Sequence, residues 1–403
     1  MRIEESQYTK FISDNEYAWQ IVFERFFEHP ELFPVDFEDV GFKLNGRTRV
    51  SKKTGYCMRK IKVGKRQYQI RPSFLLPHMR GKTSEVSDAI FLLKFNVPYW
   101  ALAYVFGRDA MYYYRLAMSL GKNSLVGTTV KSKERLPKHV LADEEHVEIN
   151  GKKAYIATTI GNGCILGSET SAGCSEEELK EAYSVYKEES QDINPDYSPE
   201  TVNTDGWSAT KKSWKHLFPK ICIIQCFLHA YIKIRDRALK KMQDTFKEIG
   251  QKVWDCYKAG SKREFSQRIR RLKQWADNNV PECIMKEKLL DLCSKCKLWS
   301  RFYDFPEACR TSNALDRLMK LMTRHKKAHQ NYHGSIEKTT LNIRAFALIH
   351  NFAPSCPETI KKYNNMESPF ERLNEFTYQK DWLQNLLIAA SLAGFRNQHS
   401  KTL

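Results

Sequence analysis

The chain has 403 residues, 42% hydrophobic, 12% aromatic and 28% charged, which excludes wholesale disorder and makes two or three domains the natural expectation. Sixty-five Lys and Arg against 47 Asp and Glu leave a formal charge of +18, and that surplus points to a polyanionic partner, nucleic acid before an anionic membrane surface. No apolar run approaches the roughly 20 residues of a membrane span, and the polar, acidic start "MRIEESQYTK" is not a secretory signal, so a cytoplasmic protein is expected.

Residues 1 to about 35 predict helix, with Ala18, Ile21, Val22 and Phe26 at helical spacing until the prolines of "HPELFP". A basic stretch runs from Arg47 to Arg71. Within it "RKIKVGKRQYQIRP" alternates through Ile61 and Val63, turns at Gly64, and resumes with Tyr68 and Ile70, predicting a β-hairpin with basic outward positions. Arg59, Lys60, Lys62, Lys65 and Arg66 are its candidate phosphate contacts, against the plainer alternative of a solvated hairpin face.

Residues 84 to 120 predict three helices. Val86, Ile90 and Leu93 make one stripe, and "VPYWALAYVFG" has Pro98 near its start and Gly107 after its end. "RDAMYYYRLAMSLG" follows. A short helix, a glycine turn and a second helix carrying Arg108, Tyr112 and Arg115 resemble a helix-turn-helix, as other three-helix bundles also do. The expected divisions are 1–80, helix plus basic hairpin; 81–135, a helix-turn-helix-like DNA-binding region; and 136–403, a catalytic domain.

From 138 the pattern changes. "HVLADEEHVEI", "KKAYIATTIG" and "CILGSETSA" are β-like runs separated by "NGK" and "GNG", predicting an antiparallel meander. A helix follows, opened by a Ser175/Glu178 capping box, with Leu179, Ala182, Tyr183 and Tyr186 on one face. "ETVNTDG" then reads as a strand, "TKKSWKHLF" as a helix and "KICIIQCFLHAYIKI" as a further β-branched strand. The order β-β-β-α-β-α-β makes an α/β fold, a mixed sheet covered by helices.

An all-helical block spans about 235–310, with one stripe through Leu239, Met242, Phe246, Ile249 and Val253 and another through Phe265, Ile269, Leu272 and Ala276. Cys293 and Cys296 form a CxxC with no second pair, and the eleven scattered cysteines read as reduced thiols.

Three carboxylates stand out. Asp143 shares a strand face with Leu141, where a carboxylate is costly without a cation; Glu144 and Glu145 are its neighbours. Asp205 ends the fourth strand before Gly206, where a turn or capping role is commonest. If that strand lies beside the first, a spacing of roughly 5 Å lets both carboxylates reach one metal. Asp316 lies on "TSNALDRLMKLMTRHKK", whose buried stripe is Leu315, Leu318, Met319 and Met322; locally, a surface pair with Lys320 is the better expectation. Together, three such acids are what two Mg²⁺ ions require.

The blocks "LADEEHVEINGKKAYIATTIGNGCILG", "TVNTDGWSATKKSWKHLFP", "CFLHAYIKIRDR" and "SNALDRLMKLMTRHKKAHQNYHGS", extended by "LNIRAFALIHNFAPSCP", resemble the DDE/D transposases of bacterial insertion sequences. The resemblance covers most of the chain from about residue 70. It implies an RNase H-like catalytic domain with a helical insertion and a catalytic, metal-holding triad of Asp143, Asp205 and Asp316. It further implies two Mg²⁺ or Mn²⁺ ions, and cleavage and strand transfer at the element's ends. The implied partners are double-stranded DNA, as terminal inverted repeats and target, and a second copy in a homodimer, in a nucleoid-associated protein. The family's third acid is often Glu; Asp316 is one methylene shorter, and Glu337 in "HGSIEK" is the fallback. Cys226 and His229 in "CFLH" resemble the Cys-x-x-His signature of Mutator-like transposases, although two ligands leave a zinc site incomplete and a core cysteine beside a phosphate-facing histidine is the plainer alternative. The rival function is a domesticated, catalytically silent DNA-binding regulator.

Overall fold

The computed structural model describes residues 1–238, 242–311, 313–328 and 332–395. The chain divides into two units, one of Met1–Leu136, Glu144–Tyr197 and Lys320–Leu403, the other of Pro137–Asp143 and Ser198–Met319.

In the first unit the expected long N-terminal helix is broken in two, Glu5–Ser13 and Asn15–Glu28, because Asp14 turns extended and caps the second by accepting from the Tyr17 N–H at 3.1 Å. The helices bury Tyr8, Phe11, Ala18 and Val22 together with Ile61, Val63 and Ile70 of a three-stranded antiparallel sheet. Its strands are β1 (Lys43–Arg47), β2 (Arg59–Val63) and β3 (Arg66–Ile70). β2 and β3 form the expected hairpin around Gly64, whose φ is +54°. β1 lacks alternation in "KLNGR" and is added by pairing to β2.

Helices Ser87–Leu93, Tyr99–Phe106 and Ala110–Leu120 follow. Gly107 closes the second in the left-handed conformation and Asp109 caps the third through the Met111 N–H, so the predicted stop and start signals act as read.

The second sheet has strands β4 (His139–Ile149), β5 (Lys152–Gly161), β6 (Cys164–Ser171), β7 (Thr201–Thr204) and β8 (Cys222–Gln225), in the order β6-β5-β4-β7-β8. Asn150-Gly151 and Asn162-Gly163, all at positive φ, make the two meander turns. β5 and β6 are antiparallel, whereas β7 runs parallel to both β4 and β8. The fold is therefore mixed α/β. The Ser175/Glu178 capping box opens helix Glu176–Ile193 between β6 and β7, and helix Ser208–Leu217 connects β7 to β8.

One predicted strand is overturned in part. Only Cys222–Gln225 of "KICIIQCFLHAYIKI" is strand; Cys226 caps a helix, Phe227–Arg235. Phe227 and Ile234 are buried with Ala230 and Tyr231 packed beside them, a helical spacing that the β-branched composition concealed.

Helices Gln243–Tyr257, Lys262–Asn279 and Ile284–Ser294 pack their stripes into one core with Trp299. Leu239, the first residue of the predicted stripe, lies outside the described residues. Cys293 is buried in this core, and burial pushes its thiol up to about 12, as suits a packing residue. Helix Asn313–Ala328 follows, then helix Ile336–Phe352, buried over most of its length. Among the described residues no helix is long and apolar enough to cross a membrane.

Candidate active site

β4 and β7 pair in parallel as His139 with Thr201, Val140 with Val202 and Leu141 with Asn203. Continuing this register by two residues sets Asp143 beside Asp205, on strands about 4.8 Å apart. Alternation puts both on the face of Leu141 and Asn203. Each is half-buried.

Asp205 lies just past the end of β7, in a turn fixed by its neighbours. Its Oδ1 accepts from the Trp207 N–H at 2.8 Å, and Thr204 Oγ1 accepts from the Gly206 N–H at 3.2 Å. Gly206 is favoured by its backbone conformation. Its φ is +101°, and a Cβ there would stand 2.1 Å from Nε2 of Gln225 at the end of β8. The turn role expected of an Asp before Gly is thus real, yet it occupies one carboxylate oxygen. No described residue hydrogen-bonds Oδ2.

Asp316 lies in the first turn of helix Asn313–Ala328, half-buried, while Asn313, Arg317 and Lys320 are exposed. Leu315, Met319 and Met322 are buried as expected. The expected Asp316–Lys320 pair does not form. Among the described residues, neither Asp205 nor Asp316 is paired with a lysine or arginine.

His229 feels the charges of two of these acids, Asp316 and Asp205. It sits in the first turn of helix Phe227–Arg235, three residues after Cys226, so both lie on one helical face. The Cys226 side chain hydrogen-bonds the imidazole, and that bond, against desolvation and with the charges of Asp316 and Asp205, lifts its pKa to about 9. The cysteine and histidine therefore engage each other.

Among the described residues, no group of three His, Cys, Asp or Glu side chains forms a ready metal cage. Mg²⁺ does not demand one, because it keeps several waters and is held through one or two carboxylates plus substrate phosphate. Asp143 within β4 and Asp205 just past the end of β7 supply suitably hard oxygen donors. Asn203, two residues before Asp205 on the same face, adds an orphaned buried acceptor: its Nδ2 donates to the Cys309 carbonyl at 2.7 Å, but its Oδ1 has no partner. Sequence reasoning missed Asn203 and the Gly206–Gln225 contact; the quoted "NTDGW" holds the residues but not their distant partners.

The remaining candidates lie in the first unit. Glu144 is buried and accepts from Tyr183 Oη at 2.8 Å, and Glu145 accepts from Thr323 Oγ1 at 2.9 Å. Glu337 is an exposed first-turn acid of helix Ile336–Phe352, held below the usual carboxylate range by the Ser335 side chain and its own backbone N–H.

Arg59 is not available to phosphate. It is buried, donating to the carbonyls of Phe11, Ile12 and Asp14 and to Asn15 Oδ1 at 2.7–2.8 Å, so it locks helix to sheet. Lys60 is half-buried, and Lys62, Lys65 and Arg66 are exposed. Arg108 is also engaged, ion-paired with Glu85 and 4.6 Å over the Tyr112 ring, while Tyr112 Oη donates to the Arg80 carbonyl at 2.5 Å. Arg115 is exposed.

No protein-family model matches this chain, and no curated protein matches it.

Proposed function

We propose that the chain is a DDE/D-type transposase that cleaves DNA and transfers strands at the ends of an insertion sequence, using divalent metal. The observation that carries this reading is the parallel β4–β7 register, which aligns Asp143 with Asp205, together with the joint action of Asp205 and Asp316 on His229. The strand order β6-β5-β4-β7-β8, with a meander followed by parallel strands and alternating helices, supports an RNase H-like catalytic fold. The helical body 243–304 is consistent with an insertion before the third acid.

Asp143 and Asp205 would hold Mg²⁺ or Mn²⁺, with Asp316 completing the set. Bound there, such ions supply activation of the attacking oxygen and stabilisation of the leaving one. The protein's own part is positional. Gly206, Thr204 and the Trp207 N–H fix the Asp205 turn. Cys226 and the two aspartates keep His229 cationic at neutral pH, which suits it to a substrate phosphate. The basic hairpin at Lys62, Lys65 and Arg66, and the helix bearing Arg115, are the proposed DNA contacts of the first unit.

The test is cleavage of a duplex carrying the element's ends, with Mg²⁺, by the wild type and by Asp205→Asn. The variant keeps a turn-forming side chain but loses the charge that holds the ion. Wild-type cleavage that collapses by orders of magnitude in the variant supports the transposase. A wild type that binds the duplex and never cleaves it indicates the silent regulator.

A further inference from the structure

Helix Lys262–Asn279 buries Phe265, Ile269, Leu272 and Ala276. Opposite that stripe, at i, i+4, i+7 and i+11, stand Arg263, Gln267, Arg270 and Gln274, all exposed, with Arg271 beside them. The row extends about 16 Å, at 1.5 Å per residue. Each of its side chains is an N–H donor, and none is a carboxylate.

Several other bases of the same helical body are paired with a carboxylate. Lys247 pairs with Asp244, Lys252 with Glu248, Arg268 with Glu264 and Lys295 with Asp291, each one turn away. Such pairs support a helix. Arg263, Arg270 and Arg271 have no carboxylate partner among the described residues. A planar guanidinium also matches phosphate oxygens two at a time.

We propose that this Arg/Gln row is a contact surface for the phosphate backbone of duplex DNA, so that the helical body, and not only the hairpin and helices of the first unit, carries nucleic acid. The proposal rests on the DNA-processing reading above and names a surface for it. Guanidinium and amide donors can meet the phosphate oxygens of a duplex, and a contact confined to that uniform backbone is independent of sequence.

The experiment uses full-length protein and a random-sequence duplex of about 30 base pairs, with affinity measured across a salt series and folding checked by thermal melts. The triple variant Arg263→Gln, Arg270→Gln, Arg271→Gln is compared with Lys247→Gln, Lys252→Gln, Lys295→Gln, which removes the same charge from paired positions in the same body. If each arginine meets one phosphate, the arginine triple lowers the slope of log K against log salt by about 2 to 3, and the lysine triple changes it little. Equal slopes in the two triples, or a wild-type slope in the arginine triple, overturn the proposal while leaving the transposase reading standing. A wild type that binds no duplex overturns both.

Discussion

Glu169 and Glu189 ion-pair with Arg344 in the first unit; in the second, the charges of Asp205 and Asp316 bear on His229. In the first group every charge is answered. Arg344, buried on helix Ile336–Phe352, ion-pairs Glu169, donates to Glu189 Oε1 at 2.5 Å and to the Asn123 carbonyl at 2.8 Å, and makes a longer bond to Gly121. Glu189 Oε2 accepts from the Val126 N–H at 2.9 Å. Burial alone would lower the guanidinium pKa, but the two carboxylates more than reverse this, so Arg344 stays charged. In the second group the aspartates are half-buried, among the described residues no lysine or arginine pairs with Asp205 or Asp316, and their charges raise the pKa of a histidine. A closed network fastens elements together, whereas carboxylates left without a basic partner repel one another until a cation arrives.

The largest expected effect lies in the second group. If the chain cleaves DNA as proposed, Asp316→Asn should abolish Mg²⁺-dependent cleavage, as is expected of Asp205→Asn, with an unchanged or higher melting temperature. Retained cleavage in Asp316→Asn, with loss in Glu337→Gln, would move the third acid to Glu337. The first group should answer in stability instead. Arg344→Met leaves two buried carboxylates without their cation and should destabilise by about 3–5 kcal/mol in urea denaturation. A wild-type unfolding curve for Arg344→Met would remove the distinction between the groups.

Gly206→Ala tests how far the site depends on its turn. The side chain would enter at φ +101° and against Gln225, so a loss of about 1–3 kcal/mol is expected, with cleavage reduced because Asp205 shifts. Undisturbed cleavage would mean that the turn does not position the carboxylate.

The smallest effect concerns a charge the fold refuses. His350, six residues after Arg344, is buried near Lys94 and Arg372, and burial followed by those cations pushes its pKa down to about 3. The unfolded chain binds a proton near pH 6.5 that the fold does not accept until about pH 3. Its contribution is therefore fully present above about pH 6.5 and declines as pH falls, by about 1.4 kcal/mol per pH unit in that window. His350→Gln should flatten the stability profile between pH 6.5 and 5; a parallel profile would show that other groups set the acid sensitivity.

Local signals in the sequence determined the periods and the punctuation. The Asn-Gly turns of the meander, the Ser175/Glu178 capping box, Gly107 and the hairpin around Gly64 all formed as read, because each is decided within a few residues. The sequence also placed Asp143 in a strand and Asp205 at the end of one. Only tertiary structure decided who meets whom. Parallel pairing of β4 with β7, across some sixty residues of chain, brought the segment before Asp143 beside the segment before Asp205. Packing against Phe11, Ile12 and Asp14 turned Arg59 inward, although alternation marks only that it faces the same way as Ile61. Asp316 could pair with Lys320 by spacing, yet its charge acts on His229, on another helix. The physical reason is one of range: hydrogen-bonded turns and caps are local, whereas burial and charge compensation are settled by whatever distant segment the fold brings alongside.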